Sequence, residues 1–508
     1  MKSIVSHRGY SISKTGTDEA LQDHHRKRLT VVPHIERQEY AHLARPIRIY
    51  QETDKRLYMP RFYGTNEIGP ADTDKLMTKE FEHCPRLKFK GKLRPNQIPV
   101  VKIALKSLEQ RGGGVIAIEC GGGKTTCALV IGSRLNTGKP PPMAVVCHTT
   151  AMMKQWQERI HQFVPTAKIG LVQRDKCIIE NKDIIIMSVK TVAKRKYSKH
   201  AFERIGFVVW DEIHLMCTDL FSKAFPKLAT KYTLGLSATP YRKDRCDIIF
   251  QSFIGPVVYM RKRKKDCSIE ARCVTLLMDD IEMKLNRYHK IMYTPTTVAC
   301  VNRPERTQCL AEQLIAPLAV EGRTILVLGE YVKQLKDLKK KLDGLKLVRE
   351  ENGVKRPVTI GLYIGEMKNE QRKESESKDI ILGTYKLASV GMDIPSLNTL
   401  VFASPRKEIE QSVGRILRKT HARFPPLIID VIDNHSLFRS QSRVRKKFYR
   451  TYGYTIIHIR MELDGTIKST RRTKPKVDPV AIDSPPSSDE SGDEAGESEC
   501  GESECMFD

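Results

Sequence analysis

A glycine-rich turn between an apolar run and a helical pattern restricts the fold of this chain more than any other feature. Residues 115–119 form an apolar, strand-like run, the turn occupies 120–126, and the apolar residues 128–131 have a helical pattern. Strand, glycine turn and helix in this order are typical of a parallel α/β sheet. Glycines also let backbone N–H groups and a helix N-terminus surround a phosphate. The sequence therefore predicts a phosphate-binding loop.

Apolar runs of strand length recur in two series along the chain. Buried parallel strands are typically continuous apolar runs separated by crossover helices. The fold class is therefore predicted as α/β, with two parallel-sheet domains in tandem. The predicted strands are 115–119, 144–147, 183–187, 207–210 and 233–236 in the first domain, and 324–328, 359–363, 379–382, 399–402 and 427–431 in the second.

The two series of predicted strands indicate where the domains begin and end. We expect a small N-terminal accessory domain over 1–90, the first sheet domain over 91–258, a linker and entry to the second domain over 259–320, the second sheet domain over 321–468 and a disordered acidic tail over 469–508. The basic run 261–265 fits a solvated linker, a nucleic-acid contact or a localisation signal, and the first is favoured. The basic, aromatic stretch 438–450 is predicted to be a helix, either extending a nucleic-acid track or packing on the second domain.

Charge indicates the class of partner. The chain has 87 Lys and Arg against 60 Asp and Glu, a net charge of +27. Residues 481–508 hold ten acidic side chains and no basic ones, so the remaining chain carries +37. Such an excess favours a polyanion as partner. The tail itself has three interpretations: solvation, competition for a basic groove, or a docking segment.

Cysteine usage and hydropathy restrict the cell compartment. Thirteen cysteines are scattered without a Cys-x-x-Cys pair, so neither a zinc ribbon nor an iron–sulfur cluster is indicated, and a reducing compartment is expected. No signal peptide and no membrane-spanning run are evident. We expect a soluble intracellular protein.

The glycine turn and a later acidic pair form two halves of one predicted site. Lys124 would reach the β- and γ-phosphates of a nucleotide, and Thr125 would hold Mg²⁺. The strict phosphate-loop pattern is incomplete, because Ile118 occupies its first glycine position. Directly after an apolar strand, Asp211 would orient Mg²⁺ and Glu212 would polarise the attacking water.

A third group belongs to the second domain. Gln411, Arg415 and Arg418 are spaced i, i+4 and i+7, so they share one helix face. Arginines that face a γ-phosphate from a second domain stabilise the charge of the transition state. The alternative is an ordinary basic face of a surface helix.

Five short segments of the chain, including the glycine turn, the acidic pair and the arginine helix, together resemble the motifs of superfamily 2 helicases over about residues 90 to 435. The matching segments are 121–125, 211–214, 237–239, 391–395 and 411–418. Residues 93–97, 145–156 and 361–367 resemble the XPB-like branch, and are most similar to the transcript-release helicases of poxviruses and other large cytoplasmic DNA viruses, with an asfarvirus member suspected. The resemblance implies two RecA-like domains, ATP and Mg²⁺ as cofactors, and nucleic acid as partner. It also suggests RNA polymerase or other transcription factors as partners, and the viral factory and virion as locations.

The family's functional residues carry over to matching positions. The resemblance implies that Gln97 contacts adenine and Asp393 contacts ribose. Phosphate and metal contacts would come from Gly121, Gly122, Gly123, Lys124, Thr125, Thr126 and Asp211. Coupling of phosphate state to strand grip would come from His214, Ser237 and Thr239, and nucleic-acid contacts from Thr149, Thr384 and Arg242. The Arg-Glu-Asp motif of the branch is replaced by Arg242-Lys243-Asp244, which weakens its expected strand-separating role.

Two other classes of protein were weighed. A nuclease or restriction motor would need a further carboxylate cluster, and none is evident. A nucleic-acid-binding scaffold with regulatory ATP binding would be expected to lose Lys124, Glu212 or an arginine finger, and all are present. The choice between DNA and RNA, the polarity of travel and the oligomeric state stay open, because 2′-OH contacts are not visible in a sequence.

Overall fold

The computed structural model describes residues 2–35, 38–119, 121–198, 200–261, 265–278, 283–287, 289, 291–351, 353–389, 394–417 and 423–473. All of them fall within the unit Met1–Pro475. The expectations for the acidic tail, for the middle of the basic run and for Asp393 and Arg418 concern residues outside those described.

A small mixed sheet forms the N-terminal part, with strand order β5-β6-β2-β1-β7. Buried Arg61 ties it to the first large sheet by donating to the carbonyls of Lys231 at 3.0 Å and Arg111 at 3.2 Å. The elements of the N-terminal part are β1 Ser3–Ser6, β2 Gly9–Ser13, α1 Glu19–Arg28, β3 Thr30–Val31, β4 Ile47–Arg48, β5 Gln51–Glu52, β6 Arg56–Met59, α2 Arg61–Glu67 and β7 Thr73–Asp74. Strands β3 and β4 form a separate antiparallel pair.

The first large sheet has the order β11-β10-β12-β9-β13-β14-β8-β15 and is parallel except for the edge strand β11. Its elements are α3 Ile98–Arg111, β8 Gly113–Ile118, α4 Lys124–Gly138, β9 Met143–Cys147, α5 Thr150–Phe163, β10 Ile169–Gln173, β11 Lys176–Ile178, β12 Ile184–Ser188, α6 Val189–Lys194, β13 Phe207–Asp211, α7 Asp219–Ser222, β14 Tyr232–Ser237, α8 Asp247–Ile254 and β15 Val257–Arg261. All five strands predicted for this domain are present.

The second large sheet has the order β20-β21-β17-β22-β23-β16-β24-β25, again parallel except for one edge strand, β25. The elements of this domain are β16 Glu270–Leu277, α9 Tyr293–Val301, α10 Pro304–Cys309, α11 Ala316–Glu321, β17 Ile325–Gly329, α12 Val332–Gly344, β18 Val348–Glu351, β19 Val354–Pro357, β20 Ile360–Tyr363, α13 Asn369–Ser375, β21 Ile380–Thr384, α14 Tyr385–Ser389, β22 Thr399–Phe402, α15 Glu410–Ile416, β23 Leu427–Asp433, α16 Ser436–Thr451, β24 Thr455–Glu462 and β25 Ile467–Thr473. Strands β18 and β19 form a separate antiparallel pair.

Helices cover both faces of each large sheet. Every residue of β8, β9, β13, β14, β17, β22 and β23 is buried, as expected for strands in the middle of a three-layer α/β domain. Each sheet separates two apolar clusters, one per face. This α/β architecture with two parallel sheets confirms the predicted fold class.

The segment 259–320, predicted to be a linker and the entry to the second domain, contains strand residues of both large sheets. Strand β15 continues to Arg261 in the first sheet, and β16 lies between β23 and β24 inside the second. Arg261 therefore belongs to a strand and not to a solvated linker. None of the helices in the described part of the chain is both long and apolar enough to span a bilayer.

Candidate active site

The glycine turn lies between the end of β8 and the start of α4. Gly121 and Gly123 have φ angles of 84° and 87°, in the left-handed region that side chains other than glycine rarely adopt. A Cβ atom at Gly123 would also overlap the amide of Gln97. Helix α4 begins at Lys124, so its free N–H groups face the turn. The turn thus has the shape and the donors of an anion cradle.

Gln97 is buried against this turn. Its side-chain amide donates to the carbonyl of Gly122 at 3.2 Å, and its side-chain oxygen accepts from the backbone N–H of Arg94 at 2.9 Å. The residue predicted to contact adenine therefore also holds the backbone of the glycine turn in place.

A second support for the turn was not predicted from sequence. The guanidinium of Arg261 binds both carboxylate oxygens of Glu119, at 2.8 and 3.0 Å, and donates to the carbonyl of Asn96 at 2.6 Å. Glu119 directly follows β8, so this contact fixes the residue that leads into the turn. Only the basic character of the run 261–265 had indicated that Arg261 was notable.

Lys124 and Glu212 form an ion pair of 3.2 Å. Glu212 has a φ angle of 50°, an uncommon conformation for a residue with a side chain, and follows the last residue of β13. Burial alone would raise the pKa of Glu212, but the charges of Lys124, His214 and Arg415 outweigh it and hold that pKa below its ordinary value. Glu212 is thus a half-buried, ionised carboxylate beside the glycine turn.

Asp211 is the buried last residue of β13. Its Oδ2 atom accepts a hydrogen bond from the indole N–H of Trp156 at 2.8 Å. Burial, and then the charge of Glu212, raise the pKa of Asp211 to about 6. The contact with Trp156 was also missed by the sequence analysis, although the dipeptide Gln155-Trp156 had been matched to a helicase motif.

The three residues predicted to couple phosphate state to strand grip are in direct contact. His214 Nδ1 lies 2.9 Å from the Ser237 hydroxyl, which also accepts the backbone N–H of Thr239 at 3.0 Å. Arg242 donates to the carbonyl of His214 and pairs with Asp244 at 2.8 Å. The Arg242 side chain, which was predicted to contact nucleic acid, therefore binds residues of its own domain, that of the first large sheet, here called the first lobe.

Arg415 belongs to the domain of the second large sheet, here called the second lobe, and lies near Glu212 of the first lobe. It is buried on α15, and its charge contributes to the lowered pKa of Glu212. Gln411, one turn earlier on α15, is half-buried. Among the residues that the structure describes, the phosphate loop, the acidic pair and one predicted arginine finger therefore converge.

The two threonines predicted to contact nucleic acid lie at the carboxyl ends of strands in different lobes. Thr149 accepts the backbone N–H of Met152 at 3.3 Å and so caps α5, while Thr384 ends β21. Next to Thr149, the pKa of His148 is lowered by burial and then by the charge of Lys386, which lies two residues after Thr384. The charge of Lys386 therefore acts on the loop that carries Thr149.

Comparisons with known proteins agree with this geometry. Residues 90–242 match the family described as "Type III restriction enzyme, res subunit". A proposed ATP-dependent RNA helicase of Acanthamoeba polyphaga mimivirus is 28% identical over 90% of this chain and 86% of its own length. A proposed ATP-dependent RNA helicase of African swine fever virus is 25% identical over 70% of this chain and 72% of its own.

A solved structure supports the fold alone. It is a fragment of a proposed HsdR subunit of a type I restriction enzyme from Vibrio vulnificus, with a TM-score of 0.52 and 14% identity, covering 77% of this chain and 73% of that one. The sequence matches indicate an ATP-dependent helicase, a nucleoside-triphosphate hydrolase, and the solved structure agrees with the α/β fold of two large sheets. The expected XPB-like branch and asfarvirus membership are not confirmed.

Proposed function

We propose that this helicase binds ATP with Mg²⁺ between its two sheets and uses hydrolysis to move along one nucleic-acid strand. The observation that carries the proposal is the position of Glu212. It pairs with Lys124 of the glycine turn at 3.2 Å, and the charge of Arg415 in the other lobe contributes to its lowered pKa. A triphosphate held by the turn would therefore meet a carboxylate of the first lobe and an arginine of the second.

The residues present fit a magnesium nucleotide. Gly121, Gly122 and Gly123 leave room for phosphate oxygens, and Lys124 and Thr126 would bind them. Thr125 and Asp211 would hold Mg²⁺. One hydroxyl and one carboxylate suit an ion that takes its remaining ligands from phosphate and water. In the described residues no group of three or more His, Cys, Asp or Glu could hold a metal by itself. When bound, Mg²⁺ would neutralise charge that develops on the phosphates.

Glu212 is suited to act as the general base. Its Oε2 atom is buried and accepts no hydrogen bond from any described residue. A buried acceptor without a donor is costly, and a water molecule that donates to it would relieve that cost. Because the pKa of Glu212 is lowered, the carboxylate is ionised and able to accept the water's proton. Gln411, Arg415 and Arg418 would stabilise the opposing phosphate charge.

The remaining residues would connect the nucleotide to the strand. Gln97 would recognise adenine and Asp393 the ribose. A change at the γ-phosphate would pass from Glu212 to His214, 3.6 Å away, and then to Ser237 and Thr239. Backbone contacts from Thr149, Thr384 and Arg242 would then alternate as the cleft opens and closes. Such contacts carry no sequence information, so binding would be independent of sequence.

We further propose that the enzyme acts on DNA or on the nascent transcript during viral transcription, with RNA polymerase or another transcription factor as a partner. The support is the resemblance to transcript-release helicases and the similarity to viral proteins, two of which are named as RNA helicases. RNA is accordingly the alternative substrate to DNA.

The test is ATPase stimulation by single-stranded DNA and RNA of the same sequence, followed by unwinding of duplexes with 3′ or 5′ tails. We expect one or both strands to stimulate hydrolysis, with Glu212→Gln as the inactive control. Hydrolysis that no nucleic acid stimulates, together with no unwinding of any tailed duplex, would refute the motor function.

A further inference from the structure

A basic groove of about 420 Å³ lies on the second lobe, away from the nucleotide cleft. It runs between α16 and the ends of β23, β16 and β24. Four of its lining residues are cationic, namely Arg439, Arg443, Lys446 and Arg460. Nothing in the proposed hydrolytic cycle uses these residues.

The groove is a product of strand register and helix periodicity. Ile432, Thr275 and Arg460 lie side by side across β23, β16 and β24 and form its floor. On α16, the spacing of Arg439, Arg443 and Lys446 is i, i+4 and i+7, which places them on one stripe of the helix. Cations from two elements therefore converge on one concavity.

No carboxylate neutralises this concavity within the described residues. None of its lining residues is acidic. The nearby acids of β23 are buried in other pairs: Asp430 lies 2.8 Å from Arg445 and Asp433 lies 2.6 Å from Arg306. The guanidinium of Arg439 donates to the neutral amide oxygen of Asn434 at 2.8 Å and not to a carboxylate.

The positive field extends beneath α16. His458 lies two residues before Arg460 on β24, hence on the same face of the strand. Burial, and then the charges of Lys446, Arg450 and Arg471, hold the pKa of His458 below its ordinary value. The three neighbouring cations contribute a positive potential here, and that potential favours an anion.

We propose that this groove binds backbone phosphates of nucleic acid beyond the segment held between the two lobes. The inference rests on the proposed motor function and adds a second contact region to it. Ile432 is the one large apolar side chain of the lining, so recognition would depend on charge and not on base stacking. Phosphates are the anions that a nucleic-acid motor meets at regular spacing.

The position of the groove relative to the cleft supports this assignment. All strands from β21 to β24 run parallel, so the groove and Thr384 lie on the same carboxyl edge of the sheet. β24 is five strands from β21 in the sheet order, which corresponds to ~24 Å at a strand spacing of ~4.8 Å. That span equals about seven base pairs of duplex. The groove would therefore contact a long substrate and not a short one.

The experiment compares two double variants by fluorescence anisotropy of labelled oligonucleotides over a range of salt. Arg443→Gln with Arg460→Gln removes two groove charges. The control, Lys340→Gln with Lys341→Gln, removes two exposed charges from α12 on the same lobe. Probes are single strands of about 8 and about 25 nucleotides, bracketing common site sizes, and the longer strand annealed to its complement over half its length.

We expect the groove variant to bind the long probes at least about 10-fold more weakly than the wild type, with a salt slope smaller by about 1.4 to 1.8, as for two lost phosphate contacts. Its loss on the short probe should be much smaller, and the control should resemble the wild type on all probes. Equal losses on short and long probes, or no loss relative to the control, would refute the groove. Failure of the motor itself would be distinct, because the wild type would then show no stimulation of hydrolysis by any probe.

Discussion

The indole N–H of Trp156 donates to Oδ2 of Asp211 at 2.8 Å, and both side chains are buried. Trp156 lies on α5, the helix capped by Thr149, and Asp211 ends β13. One hydrogen bond therefore joins the helix that begins at a predicted nucleic-acid contact to the predicted magnesium ligand. It also favours the ionised form of Asp211, against the burial that raises its pKa.

Replacing Trp156 by Phe should move the acid limb of the ATPase pH profile. Loss of the hydrogen bond removes a contribution that lowers the pKa of Asp211, so this pKa rises above about 6. A hydrogen bond to a charged group contributes ~1.5 kcal/mol or more, which is about one pH unit. The pH dependence of kcat/KM reports the pKa values of groups in the free enzyme. We expect kcat/KM of the variant to fall below that of the wild type at pH 6.5 and to recover near pH 8.

Trp210→Phe is the matched control for this experiment. Trp210 is equally buried, and its indole donates to the Thr233 hydroxyl at 3.1 Å instead of to a carboxylate. Its loss should leave the acid limb in place. If Trp156→Phe and Trp210→Phe gave the same acid limb as the wild type, the hydrogen bond to Asp211 would have no part in setting that pKa.

Asp211→Asn should stabilise the protein at alkaline pH while impairing hydrolysis. The pKa of Asp211 is raised to about 6 in the folded state, whereas an unfolded Asp titrates near ~3.9. Between these values the unfolded chain loses its proton first, so wild-type stability falls as the pH rises. Above about pH 6 the full penalty, up to ~3 kcal/mol, is present. Asparagine does not ionise and avoids it.

Thermal unfolding at several pH values measures this effect. The melting temperature of Asp211→Asn should exceed that of the wild type most at pH 8, and the difference should shrink as the pH falls toward 4. Asp219→Asn, at an exposed acid on α7, serves as the control. A stability gain that did not change with pH would contradict the raised pKa.

All but one of the ten strands that the sequence predicted are buried on both faces; the exception is β20, whose residues alternate between half-buried and buried. Strand β22, for example, is Thr399–Phe402 as predicted, and all four residues are buried. Strand β16 lies in the segment predicted as linker and entry to the second domain. Its sequence does not predict a buried strand, because Glu270, Arg272 and Thr275 alternate with buried residues and the continuous apolar signal is missing. The N-terminal strands span two to five residues, too few to establish a period.

The residues of the candidate active site also fall into those that local sequence predicts and those that it does not. Lys124 and Glu212 were predictable because each lies in a short string whose residue types serve the chemistry directly. Trp156 and Arg261 were not, since they contact Asp211 and Glu119 across 55 and 142 positions. Those contacts depend on strand order: β9, which leads into α5, lies next to β13, and β15 lies next to β8. Local sequence does not specify that order.

Arg415→Ala should slow hydrolysis and spare nucleotide binding. Its guanidinium lies in the second lobe, whereas the glycine turn and Lys124 hold the phosphates in the first. Removal of an arginine finger lowers kcat by about 10³-fold or more. The measurements are steady-state ATPase rates and the equilibrium affinity for a fluorescent, non-hydrolysable nucleotide. Lys407→Ala, an exposed cation near α15, is the control. Loss of nucleotide affinity equal to the loss of rate would argue against a finger.

Arg306→Ala should strongly destabilise the second lobe. Arg306 on α10 pairs with Asp433 of β23 at 2.6 and 3.0 Å, and neither side chain is exposed. Its guanidinium also donates to the carbonyl of Ala403 at 2.8 Å. Truncation leaves a buried, uncompensated carboxylate, which costs about 3–5 kcal/mol.

The loss of stability should come from leaving Asp433 charged and unpaired, and not from the absence of the ion pair itself. A variant that removes both charges separates these two causes. Arg306→Met with Asp433→Leu removes both charges, so its thermal unfolding should occur at a higher temperature than that of Arg306→Ala. Lys339→Ala breaks the partly exposed pair of 2.6 Å with Asp343 and should cost less than about 0.5 kcal/mol. A melting temperature of Arg306→Ala no lower than that of Lys339→Ala would show that the buried pair does not stabilise the contact between α10 and β23.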